Sequence, residues 1–70
     1  MNRYAILVYW NNDDRTFIAE VPELPGVIAY GETYQDAINR VEPVIEEWIH
    51  NARAVNRDIP KPKGRLTVLV

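Results

Sequence analysis

Seventy residues with no cysteine, one histidine and a net charge of −2 make one domain near the lower size limit for independent folding, with no disulfide or thiolate metal site to staple it. The 47% apolar and 26% charged content is that of an ordinary globular domain without a leader or a membrane-length apolar run, so a cytoplasmic location is expected. The acidic balance argues against a phosphate backbone as the primary partner, because such affinity comes from clustered Lys and Arg, and it suits a basic protein better.

Arg3 to Trp10, RYAILVYW, carries bulky apolar groups at both parities: Tyr4, Ile6, Val8 and Trp10 against Ala5, Leu7 and Tyr9. Aromatic and β-branched residues in that pattern predict a strand buried on both faces. Asn11 to Asp14, NNDD, is a run of four turn formers whose side chains bond their own backbone, so a hairpin follows. Thr16 to Val21 then alternates Phe17, Ala19 and Val21 with Thr16, Ile18 and Glu20, a second strand with one more apolar face.

Pro22 and Pro25 remove two backbone donors, and Gly26 turns the chain, so the second strand stops at Val21. The tip of this connection, Glu23 and Leu24, is expected to be exposed. Val27 to Tyr30 is a third, antiparallel strand ended by Gly31. Thr33 with Asp36 three residues on forms a shortened capping box. Tyr34, Ala37, Ile38, Val41, Val44, Ile45, Trp48, Ile49, Ala52 and Val55 then recur at steps of three and four, a helix six turns long. Pro43 interrupts it on the polar face, and the unbroken stripe predicts that the helix continues through it. Asn56 is the expected stop, Asp58 to Gly64 a stiff connector punctuated by Pro60 and Pro62, and Arg65 to Val70 a last strand. The plan is a single α+β domain over residues 1–70, an antiparallel sheet with one long helix packed on one face in the order β-β-β-α-β.

One helix covers one sheet face, yet Leu7, Tyr9 and Leu69 leave the other too apolar for water. Self-association through that face or the last strand's edge, or capture of another protein, resolves this. Leu7, Tyr9, Leu66, Val68 and Val70 are the expected oligomer contacts.

Reactive chemistry finds little support. Asp13 and Asp14 with Glu20 and Glu23 read as a turn plus two edge charges, because adjacent aspartates point apart and no glycine-punctuated ligand loop follows. Glu46, Glu47 and His50 read as a solvated helix face. The chain has no serine or cysteine to pair with His50. No catalytic, cofactor-binding or metal-binding residue is therefore assigned. Trp10, Tyr9 and Tyr30 could stack on bases only beside a basic groove, and the basic residues near the end are Lys61, Lys63 and Arg65.

A strand ending in VPELPGV, a glycine before a helix opened by GETYQDAI, and a close on IPKP resemble the HicB-like antitoxin family over Tyr4 to Pro62. The matching positions are Pro22, Pro25, Gly26, Gly31, Thr33, Ala37, Ile59, Pro60 and Pro62, all of them structural, as is the capping Asp36. The resemblance implies a partial ribonuclease-H-like sheet with one helix, homo-oligomers, and the masking of a small basic HicA-like RNA-cleaving toxin. Many such proteins continue into a promoter-binding domain, which this chain does not carry, so direct DNA binding is not expected of it. The ribonuclease label implies no activity here, since that chemistry needs carboxylates converging on two metals.

The function expected is therefore non-enzymatic: occlusion of a toxin by Trp10, Asp13, Asp14, Glu20, Glu23 and Tyr30. The alternative is a solitary self-assembling domain, structural or small-molecule binding, without a toxin partner. RNA binding through Lys61, Lys63, Arg65 and the tyrosines is a third class, and it requires salt-sensitive binding to single strands.

Overall fold

The computed structural model describes residues 4–61 and 66–69. The elements are β1 (Ile6–Asn11), β2 (Thr16–Glu20), β3 (Ile28–Gly31), α1 (Tyr34–Ala54) and β4 (Leu66–Leu69), and the sheet runs β3-β2-β1-β4. Pro62, Lys63, Arg65 and Val70 lie outside the described residues, as does Arg3.

The sheet corrects the expectation of an antiparallel array throughout. Only β1, β2 and β3 pair antiparallel, whereas β4 lies parallel to β1. Two reversals leave β3 running in the same direction as β1. The helix then carries the chain back along the sheet, so the next strand begins at the end where β1 begins and must add parallel to it. The antiparallel unit is thus three strands closed by α1, and Leu66–Leu69 does not extend it in antiparallel fashion.

Local signals account for the turns. The Asn11 side chain accepts from the backbone N–H groups of Asp13 and Asp14, both at 3.0 Å, which closes the β1–β2 turn before Arg15 takes a left-handed φ of 52°. Between β2 and β3, Val21 N–H donates to the Val27 carbonyl at 3.1 Å and Leu24 N–H to the Val21 carbonyl at 3.1 Å. Gly26 supplies the positive φ of 83° that the return needs. These bonds wrap the loop around Leu24. That side chain is fully buried, which corrects the expectation of an exposed tip: the prolines face solvent and the leucine fills the space beneath them.

The helix runs unbroken from Tyr34 to Ala54 with Pro43 inside it, on the exposed side. Thr33 caps it by accepting from Asp36 N–H at 2.9 Å, and the Asp36 carboxylate accepts from Glu32 N–H at 3.0 Å. The aspartate thus reaches back to the residue before the cap, a displaced form of the reciprocal box. At the other end Asn56 has φ 57°. Arg57 N–H donates to the Ala52 carbonyl and Asn56 N–H to that of Arg53, the paired bonds of a Schellman stop.

Val8, Ala19 and Ala29 stand in register across the three antiparallel strands and form the core with Val21, Leu24, Val27, Ala37, Val41 and Ile45. Small alanines on β2 and β3 let α1 approach closely. Gly31 shows how closely: a Cβ there would lie 2.3 Å from the Ala37 backbone nitrogen.

Candidate functional site

Strand register assigns the two sheet faces, because residues directly opposed on neighbouring strands share a side. Val8, Ala19 and Ala29 mark the helix side. The opposite side therefore carries the row Tyr9, Ile18 and Tyr30, and beside it the row Leu7, Glu20 and Ile28. Ile18 is only 3% exposed at the centre, while Tyr30 is 50% and Ile28 38% exposed at the β3 edge. The result is an apolar and aromatic platform with one half-buried carboxylate in it. At one border an open cleft of ≈ 280 Å³ is lined by Glu20, Val21, Leu24, Val27 and Ile28 among others.

The Tyr9 hydroxyl donates to Glu20 Oε2 at 3.2 Å. Burial, and then that bond to the carboxylate, raise the Tyr9 hydroxyl above the ordinary tyrosine range, so it stays protonated and donates throughout the physiological range.

The residues expected to meet a toxin do not form one surface. Glu20 and Tyr30 lie on the open platform. Trp10 is in register with Phe17 and Gly31 on the helix side, where its ring packs edge-on against Phe17 at 4.9 Å and Phe17 leans on Tyr34 at 4.4 Å. Asp13 and Asp14 sit exposed in the β1–β2 turn. Glu23 Oε1 accepts from Ala5 N–H at 2.9 Å, so that carboxylate ties the Pro-Gly connection to the start of β1.

The expected oligomer contacts also divide. Leu7 and Tyr9 are on the open platform, whereas Leu66 and Val68 occupy β4 positions in register with Ile6 and Val8. Val68 is 40% exposed because α1 packs chiefly on β3 and then β2, at the other side of the sheet from β4. Ile18 and Ile28 belong to the platform and were not among the residues singled out from the sequence. Their signal was parity, since each lies two positions from Glu20 or Tyr30.

Of the structural positions, Gly26 acts at the turn, Gly31 at the close approach of β3 to α1, and Thr33 and Asp36 at the helix cap. Pro60 has a further contact, its carbonyl accepting from the Tyr4 hydroxyl at 2.6 Å. Among the described residues no group of three or more His, Cys, Asp or Glu side chains converges. No helix among them is long and apolar enough to cross a membrane.

These features define a small α+β domain with one helix-covered sheet face and one open one. The family profile described as UPF0150-like matches residues 4–60, and the chain belongs to that family. It is similar to UPF0150 protein ssl0259 of Synechocystis sp., at 34% identity over 63 residues, covering 90% of this chain and 85% of that one. It is also similar to UPF0150 protein Ta0767 of Thermoplasma acidophilum, at 25% identity over 59 residues, covering 84% of each chain. No solved structure matches it.

Proposed function

We propose that this chain is a non-enzymatic, antitoxin-type binding domain that works in the cytoplasm and masks a small basic RNA-cleaving toxin of the HicA-like kind. The observation that carries the reading is the open sheet face: Tyr9, Ile18, Tyr30, Leu7 and Ile28 stand together on the side away from α1, with large side chains at its edge left exposed. Contiguous apolar surface rimmed by polar groups is the mark of a protein-binding site. The acidic turn of Asp13 and Asp14 and the net charge of −2 would steer a basic partner toward the domain.

Co-expression with the product of the neighbouring reading frame tests this. A co-purifying complex and restored growth are expected, and separate elution with no rescue would overturn it.

Self-assembly is the second reading, and the two sheet edges favour it. β3 (IAYG) and β4 (LTVL) carry no charged residue and no proline, the devices that usually keep an edge strand from pairing with another copy. Light scattering of the purified chain separates a dimer or larger assembly from a monomer. A monomer at all concentrations would sink this second reading.

A further inference from the structure

Glu20 is the one charged residue that the described strands place on the open platform. It is opposed by Leu7 on β1 and Ile28 on β3, and the next row holds Tyr9, Ile18 and Tyr30. A carboxylate offers about four acceptor positions, and the hydrogen bond described for this one is a single tyrosine hydroxyl at 3.2 Å. Covering it with apolar surface would leave a desolvated charge without compensation, which costs far more than the contact returns. Whatever seats on this face must therefore bring donors to the carboxylate, and a cationic donor compensates it best, since charge-assisted bonds are about twice as strong as neutral ones.

That requirement selects among occupants. A second copy packed face to face would present the same patch, and the described residues of that patch include no lysine or arginine. Among the described residues, two copies packed this way would bury two carboxylates with no lysine or arginine beside them. A different protein, apolar around one protruding basic side chain, satisfies both the charge and the platform.

We infer that Glu20, with the Tyr9 and Tyr30 rings in the adjoining row, is the seat for an arginine or lysine side chain of a protein partner. The inference rests on the reading of the open face as a partner surface, and it names the chemistry of that partner. The carboxylate holds the cation by charge, and the half-exposed Tyr30 ring gives it an aromatic face. Arginine suits the site better than lysine, because its planar fork can meet the carboxylate and stack on a ring together. The Tyr9 hydroxyl fixes the carboxylate in place for it.

The test needs no partner in hand. The full 70-residue chain, labelled with ¹⁵N, is titrated with Nα-acetyl-arginine methylamide, and in parallel with the neutral citrulline counterpart. Saturable amide shifts confined to Tyr9, Ile18, Glu20 and Tyr30 are expected with arginine and not with citrulline. Glu20→Gln keeps an oxygen to accept from Tyr9, so the face stays folded, and it should weaken the titration about tenfold. Tyr30→Leu keeps the face apolar and should weaken it about two- to fivefold. Scattered shifts, equal shifts with citrulline, or an unchanged titration in Glu20→Gln would overturn the seat. A co-purified toxin that binds Glu20→Gln with wild-type affinity and salt dependence would also overturn it, while leaving the wider reading standing. Arginine shifts at this site without a co-purifying toxin would support the seat and count against the toxin.

Discussion

The Tyr4 hydroxyl donates to the carbonyl of Pro60 across 56 positions of sequence, at 2.6 Å. Tyr4 is buried just before β1, and Ile59 packs against the same core. The bond therefore pins the segment after α1 to the start of the sheet, next to the strand that β4 must join. Tyr4→Phe keeps the ring and removes the donor. It should cost about 1 kcal/mol, read as a lower urea midpoint with an unchanged slope.

Gly31 and Gly26 should respond differently to the same substitution. In Gly31→Ala the new methyl would meet the Ala37 backbone at 2.3 Å, so the first turn of α1 must move. A loss of about 3 kcal/mol is expected, a fall in Tm of roughly 10–20 °C for a domain this small. Gly26 has open space around it and only its φ of 83° to defend, so Gly26→Ala should cost about 1 kcal/mol. Thermal melts followed by circular dichroism rank the two.

Leu24→Ala tests whether the Pro-Gly connection is a surface turn or part of the core. The side chain is fully buried, and its removal should cost about 2–5 kcal/mol through lost burial and the cavity left behind. A solvent-exposed leucine would cost about 0.5 kcal/mol or less. Chemical denaturation distinguishes these outcomes directly.

Two groups give the domain opposite pH sensitivities. The Glu32 N–H and then the Arg40 side chain hold the Asp36 carboxyl below the usual carboxylate range. A depressed folded pKa means its contribution is present above about pH 4 and is lost as the pH falls below that. Tyr9 is shifted upward by burial and by Glu20, so its contribution is complete below about pH 10 and is lost as the pH rises beyond it. Melting temperature against pH should fall at both ends, with Asp36→Asn flattening the acid limb and Tyr9→Phe the alkaline one.

Features that depend on near neighbours in the chain were legible beforehand. The helix from Tyr34 to Ala54 follows from a stripe at steps of three and four, and its start at Thr33 and Asp36 from a hydroxyl and a carboxylate three residues apart. The Asn11 turn and the stop at Asn56 are equally local. In each case the groups that bond are within a few residues of one another, so composition and spacing suffice.

Three matters waited on the packed chain, because each depends on distant residues. The direction of β4 is set by where α1 delivers the chain, which makes it parallel to β1. The burial of Leu24 is set by a loop closing over the core that α1 and the strands build. The sorting of aromatic and acidic side chains is set by strand parity relative to the helix: Trp10 falls on the covered side, and Tyr9, Glu20 and Tyr30 on the open one. A shift of one residue reverses a strand's faces, so adjacent residues such as Tyr9 and Trp10 end on opposite sides of the sheet. Local pattern names the elements, and long-range packing decides which of their side chains a partner can reach.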